Sequence, residues 1–215
     1  MANDEKVLVV ERKVIEQAGM FQGLMFDVDR YLKNIFVPGV PRFLPRSQVE
    51  KDPSYKQLIP YVIMTHNGKY LSYVRGKKAG ETRLLGLRSI GIGGHINPID
   101  ADNKSLFAYA LLYDNYLAAV KREVAEEVSV ETAHTDSIVA LLNDDSNEVG
   151  RVHLGVVHYW QLDAPKVNKR EQMITQMAFM TPAELQQIAD TLETWSSLCL
   201  PHLAEMTKPT AKTPS

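Results

Sequence analysis

The order of apolar and polar positions along this chain marks its elements before any chemistry is considered. Residues 7–10 are a β-branched run suited to a strand, and residues 58–65 and 70–75 are two more. The latter pair flanks His66-Asn67-Gly68-Lys69, and Asn-Gly between β-rich runs is the strongest short signal for a hairpin. A further strand is expected over residues 84–92, delivering a glycine run. From about Asn103 to Val128 the period changes. Leu106, Tyr109, Tyr113, Leu117, Val120, Val124 and Val128 share one helical face. One long helix, or two with a kink near Asp114-Asn115, satisfies this spacing equally. Residues 138–142 and 152–162 form a second strand pair around a polar stretch, and residues 176–180 read as a last strand. Thr181-Pro182-Ala183-Glu184 is a helix start, with an N-cap threonine, a proline at the first turn and a glutamate closing a capping box. Helical spacing then runs to about Glu205, with a break near Pro201.

The first 50 residues are harder to place. Residues 27–36 have helical spacing, with Tyr31, Leu32, Ile35 and Phe36 on one side, and Gly19 and Gly23 bracket a turn. Pro38, Pro41 and Pro45 predict no regular structure as far as Arg46. Residues 1–50 therefore read as an N-terminal extension, either an accessory layer or a dimerisation element. Residues 51–207 read as the main domain, and residues 208–215 as a flexible tail. Strands on both sides of a central helix, with a capped helix at the end, predict an α/β class with a mixed β-sheet between helices.

Composition narrows the function. At 215 residues and 45% hydrophobic content the chain can bury a full core. A net charge of −2 gives no electrostatic footprint for nucleic acid or an anionic membrane. No apolar run approaches the roughly 18 residues of a membrane span. The acidic N-terminus has no apolar leader-like stretch, so a cytoplasmic protein is expected. The single cysteine, Cys199, excludes an intramolecular disulfide and a cysteine-based zinc site; between Leu198 and Leu200 it reads as a core residue.

The most informative chemistry is Arg122-Glu123-Val124-Ala125-Glu126-Glu127. On a helix Glu123, Glu126 and Glu127 stand at i, i+3 and i+4, so three carboxylates share one face. Hard oxygen donors at that density suit Mg²⁺ or Mn²⁺. Upstream, Gly91-Ile92-Gly93-Gly94-His95 places backbone without side chains where a metal or phosphate could approach closely; for Gly91 a tight turn or bulge is the simpler reading.

These two segments resemble the halves of the Nudix (MutT-like) hydrolase signature: Gly, five residues, Glu, seven residues, then Arg-Glu-aliphatic-x-Glu-Glu-x-Gly-aliphatic. Residues 122–130 match the second half, with Ser129 in place of the glycine. Gly94 lies 28 residues before Arg122, where the signature has 14. Asp100 sits six after Gly94 and Asp114 eight before Arg122, so a 14-residue insertion with aspartate for the missing glutamate at one of these positions accounts for the spacing. The resemblance spans roughly residues 58–190 and implies a Nudix-type α/β/α sandwich. It implies a Mg²⁺- or Mn²⁺-dependent hydrolase that cleaves a pyrophosphate bond in a small phosphorylated, nucleotide-derived substrate. By position it makes Glu123, Glu126 and Glu127 metal ligands, together with a carbonyl at Gly94. Glu123 is a further ligand or positions the attacking water, and Arg122 pairs with a box glutamate. Glu123, Glu127 and Arg122 form the catalytic set, and a separate base would be Glu123, Glu148 or Glu171. Asp144-Asp145 reads as part of a solvated loop. On the substrate side Arg75, Arg83, Arg88 and His95 are candidates for phosphate, and Tyr73 or Trp160 for stacking on a base. A homodimer is one possible assembly. The alternative is a nucleotide-sensing domain without catalysis. An isomerase class of the superfamily needs a cysteine near the glycine run, and none precedes Cys199.

Overall fold

The computed structural model describes residues 4–76, 86–98, 109–170 and 174–207. In chain order the elements are β1 (Lys6–Glu11), α1 (Arg12–Gly19), β2 (Gly23–Met25), α2 (Asp29–Ile35), β3 (Arg42–Pro45), α3 (Arg46–Val49), β4 (Tyr55–His66), β5 (Lys69–Arg75), β6 (Arg88–Ser89) and β7 (Gly91–Ile92). There follow α4 (Tyr109–Glu127), β8 (Val128–Val130), β9 (His134–Asn143), α5 (Glu148–Arg151), β10 (His153–Leu162), β11 (Val167–Lys169), β12 (Ile174–Met180), α6 (Pro182–Gln187), α7 (Thr194–Cys199) and α8 (Leu203–Met206). The fold is a mixed sheet with helices, of the α/β/α class that the sequence predicts. The chain divides into two compact units. The first comprises Met1–Pro60, Gly93–Arg122 and Ala140–Val156; the second comprises Tyr61–Ile92, Glu123–Val139 and Val157–Ser215.

In the first unit the strand order is β3-β1-β4-β10-β9-β2. β1 pairs antiparallel with β3, Leu8 opposite Phe43, and with β4, Val9 opposite Gln57; β2 pairs with β9, Leu24 opposite Leu142. The first 50 residues thus supply three strands to this sheet. Val7 and Val9 pack on Val49, with Leu44 and Tyr55 against them. The strand β3 corrects the expectation of irregular chain as far as Arg46. Pro45 is its last residue, and among the described residues β3 pairs only with β1, so the missing N–H falls where no ladder bond is needed.

In the second unit the order is β12-β5-β4-β10-β9, with β6 on β5 and β7 on β4. The expected hairpin is present: Thr65 pairs with Tyr70 across Asn67 (φ 49°) and Gly68 (φ 72°), the left-handed pair that a two-residue turn of this hand requires. The strand expected over residues 84–92 is, in its described part, two short pieces. The chain leaves β5 after Ser89 and joins β4 at Gly91, which a side chain would prevent, because a Cβ there would stand 2.3 Å from the Tyr61 ring. The capping box at Thr181 and Glu184 is formed. Beyond it the single long helix of the sequence reading is broken earlier than Pro201: α6 ends at Gln187, and Leu192 pairs with Arg88 in a parallel bridge before α7 begins. Cys199 is buried, as expected, and burial pushes its thiol pKa up. The expected tail, residues 208–215, and the start of the long helix, residues 103–108, lie outside the described residues.

An unforeseen polar cluster closes the first unit. Lys56 is fully buried and donates from Nζ to Asp145 Oδ1 at 2.7 Å and to the Gly150 carbonyl at 2.7 Å; Arg12 pairs with the other Asp145 oxygen. Burial pushes the Asp145 carboxyl up, but hydrogen bonds and charges from Arg12 and Lys56 outweigh it and hold the pKa below the usual range. Asp145→Asn leaves a buried ammonium without its counter-charge and is expected to cost about 3–5 kcal/mol in chemical denaturation at pH 7. Because the folded-state pKa lies below the unfolded value of roughly 3.9, this contribution is complete above about pH 4 and is lost as the pH falls through the folded value. Melts across pH 2–7 therefore converge for wild type and variant at the acid end. Thr181→Ala, which removes one half of the capping box, is expected to cost about 1 kcal/mol in the same assay.

Candidate functional site

The acidic helix forms as one unbroken element of 19 residues, without the kink that the spacing also allowed. Asp114 lies on it and is exposed, while Asp100 is outside the described residues. Among its described side chains Leu112, Tyr116, Ala119, Val120 and Val124 are buried, whereas Tyr113 and Leu117 are only half-buried. The apolar stripe is therefore rotated slightly from the expected one. Tyr113 stacks on Tyr116 and meets Phe36 edge-on, an aromatic cluster that keeps part of its ring at the surface.

At the C-terminal end, within the second unit, Glu123 and Glu127 are half-buried and Glu126 is exposed. Here the family pattern has a glycine and this chain has Ser129. No glycine is needed, because Val128 starts a strand directly and Ser129 pairs with Asn168 of β11. The helix's last carbonyls are taken by Arg170: its Nη1 donates to the Ala125 carbonyl at 2.9 Å and its backbone N–H to the Glu127 carbonyl at 2.9 Å. A cation there also suits the negative end of the helix dipole. Strands as short as β8 and β11, three residues each, left no periodic signal in the sequence.

One residue of β5 reaches Glu127, and a second lies over the ring of the first. Tyr73 Oη lies 3.0 Å from the Gly91 carbonyl and 3.3 Å from Glu127 Oε2. It is fully buried; burial first, then the charge of Glu127, raises its pKa, so it stays a neutral phenol. This corrects the reading of Tyr73 as a stacking surface for a base. The Arg75 guanidinium sits 5.6 Å from the Tyr73 ring centre. Burial works against its charge, but Tyr73, Glu127 and Glu193 outweigh that and raise its pKa. Arg88 donates to Ser72 Oγ at 2.9 Å and to the backbone and side-chain oxygens of Gln176, both at 3.2 Å. Trp160 is buried and His134 stacks on it at 4.0 Å between ring centres.

Beneath this site lies a group that sequence reasoning missed. Glu193 is buried, and its Oε1 accepts from Tyr61 Oη at 2.8 Å, Ser196 Oγ at 2.8 Å and Ser89 Oγ at 3.1 Å. Ser196 Oγ in turn accepts from the Ile90 N–H at 2.9 Å, and the Glu193 N–H donates to the Arg88 carbonyl at 2.9 Å. A glutamate between Leu192 and Thr194 carries no local sign of burial; its partners are about 100 residues or more away in sequence, apart from Ser196.

The remaining described candidates belong to the first unit. A Cβ on Gly93 would stand 2.2 Å from the Pro60 carbonyl oxygen, so close packing on β4 already requires that glycine; Gly94 follows it outside any strand or helix and is half-buried. Arg122 Nη2 donates to the His95 carbonyl at 3.2 Å. The His95 ring lies beside His153, Nε2 to Nε2 3.4 Å. Burial, with Arg46 and His153 adding to it, pushes its pKa down to about 3, so at neutral pH it is an uncharged ring. Asp144 is bound by Gln22, Ser146 and Asn147, so the acidic pair is a structural loop rather than a solvated one. Glu148 is exposed at the start of α5, and Arg83 and Glu171 lie outside the described residues. Among the described residues no group of three or more His, Cys, Asp or Glu side chains converges to hold a metal ion, and no helix is long and apolar enough to cross a membrane.

No family model matches the chain. It is 31% identical over 201 residues to Protein YmaB of Bacillus subtilis (strain 168), an alignment covering 90% of this chain and 94% of that one. The crystal structure of Tm1382, a protein proposed to be a Nudix hydrolase, superposes with a TM-score of 0.75 at 25% identity, covering 94% of this chain and all of that one. DR0079 from Deinococcus radiodurans shares the fold, with a TM-score of 0.52 at 16% identity over 76% of this chain and 91% of its own.

The buried carboxylate makes one firm expectation. Glu193→Ala leaves the hydroxyls of Tyr61 and Ser89 without their shared acceptor in the interior, and should lower stability by about 3 kcal/mol or more in chemical denaturation.

Proposed function

The chain belongs to the Nudix superfamily, and we propose that it hydrolyses a pyrophosphate bond in a small, nucleotide-derived substrate with the help of Mg²⁺ or Mn²⁺. The observation that carries this reading is the set Glu123, Glu126 and Glu127 at the end of α4, with Glu127 anchored by Tyr73. Their hard carboxylate oxygens fit such a cation by donor type. Mg²⁺ is commonly held by one or two carboxylates, completed by water and substrate phosphate, so an open platform suits it better than a closed three-ligand cage. When bound, the cation offsets the charge of the diphosphate and makes water a better nucleophile.

The chain's own groups have separate tasks in this proposal. Glu126 and Glu127 are the main ligands, and Glu123 is a further ligand or holds the attacking water. Arg122 ties down the backbone at His95 through the carbonyl it donates to. Of the substrate-side candidates Arg75 is the best supported, because its guanidinium lies over the Tyr73 ring, the charge of Glu127 favours its cationic form, and its Nε is buried without a hydrogen-bond partner. Arg88 gives its guanidinium to Ser72 and Gln176, and His95 would meet a phosphate as a neutral donor rather than as a cation.

The test is turnover of nucleoside diphosphate sugars, dinucleoside polyphosphates, ADP-ribose, NADH and oxidised nucleoside triphosphates with Mg²⁺. One of these should release phosphate or nucleotide, and Glu127→Gln should lower that rate by roughly 100-fold or more at an unchanged melting temperature. Full activity in Glu127→Gln sinks the assignment. Tight binding of one compound without turnover by the wild type replaces hydrolysis with nucleotide sensing.

A further inference from the structure

Tyr73 has one hydroxyl proton and two acceptors in reach, the Gly91 carbonyl at 3.0 Å and Glu127 Oε2 at 3.3 Å. Its ring is fully buried, with Arg75 beside it, so its hydroxyl is fixed by these neighbours. The Gly91 carbonyl is also within 2.8 Å of Ser89 Oγ, which in turn reaches Glu193 Oε1 at 3.1 Å. Gly91 itself cannot shift toward β4, since the Tyr61 ring fills the space where a side chain would be, and Tyr61 is held by Glu193 and Ser196. A line of fixed groups therefore runs from the buried Glu193 through Ser89 and Gly91 to Tyr73 and ends on Glu127. Of the two acceptors an ionised carboxylate is the stronger, because a hydrogen bond to a charged group is roughly twice as strong as one between neutral groups.

We propose that Tyr73 is a positioning residue for Glu127: its hydroxyl ties Oε2 and so sets the plane in which the carboxylate meets a divalent cation. This rests on the metal platform proposed above. Groups that hydrogen-bond a metal's ligands contribute about 10- to 100-fold to metal affinity or activity. A role confined to packing would leave metal affinity untouched, because phenylalanine fills the same space.

The experiment is Mn²⁺ binding to the full chain without substrate, by calorimetry, for wild type, Tyr73→Phe and Glu127→Gln. Tyr73→Phe should weaken Mn²⁺ about tenfold or more, with kcat recovered at high Mn²⁺ and KM for the substrate unchanged. A Tyr73→Phe affinity within about twofold of wild type, while Glu127→Gln has lost binding, overturns the role of Tyr73 and leaves the platform standing. A Glu127→Gln variant that still binds as wild type overturns the platform and this inference with it. Should Tyr73→Phe fail to fold, wild-type chain carrying ¹³C at the tyrosine ring decides. The Tyr73 Cζ resonance should move on adding Mg²⁺ and stay still in Glu127→Gln, and a resonance indifferent to Mg²⁺ in the wild type refutes the inference.

Discussion

Glu193 puts a carboxylate into the interior of the second unit, and three hydroxyls turn toward one of its oxygens. A buried carboxylate is tolerated only when its lone pairs are satisfied, so the groups that satisfy it lose their freedom as well. Tyr61 is fixed on β4, Ser89 on β6, and Ser196 carries the constraint to the Ile90 N–H. With both sides of residues 88–91 held, the chain must cross from β5 to β4 in two residues, and only glycine fits at 91. The same carboxylate explains the C-terminal path. To reach Arg88, Leu192 and Glu193 must be extended, which breaks the helix that the spacing of residues 181–205 would otherwise continue.

Features whose signal is local could be read from the sequence. The Asn67-Gly68 turn needs only two residues of left-handed backbone, the capping box at Thr181 only four residues, and the acidic helix only its own period. The membership of the family could be read from residues 122–130 despite the stretched glycine half, because the carboxylate spacing survives any insertion upstream of it. What could not be read depends on partners distant in sequence. The strand β3 is stable because β1 lies beside it, and β8 and β11 exist because of each other. Lys56 and Glu193 look like ordinary surface charges until their partners are known. The sites of Arg75 and Tyr73 were half-legible. Arg75 could be placed on a strand leading into the glycine run, but not that Tyr73 is buried as a donor to Glu127 with the Arg75 guanidinium over its ring.

The two departures from the family signature have different physical status. The loss of the glycine after the last glutamate is compensated within the described structure: the strand pairing of Ser129 and the two hydrogen bonds from Arg170 do the work of a left-handed cap. The added residues between the glycine run and the helix do not disturb the helix end, which keeps all three carboxylates at their spacing. Change is thus tolerated on one side of the helix and compensated on the other, while the turns carrying Glu123, Glu126 and Glu127 stay regular.

Arg170 reaches Ala125 across 45 positions of sequence, and Glu193 reaches Tyr61 across 132. A ribosome making this chain from its N-terminus exposes the acidic helix well before the residue that closes its end, and β4 long before the carboxylate that anchors it. The helix can form early on its own period, yet its carboxylates gain their final setting only when Arg170 and Glu193 have been made and have docked. Maturation of the site therefore waits on residues 170 and 193, and a nascent chain stalled before residue 193 would carry the residues of the site without its geometry.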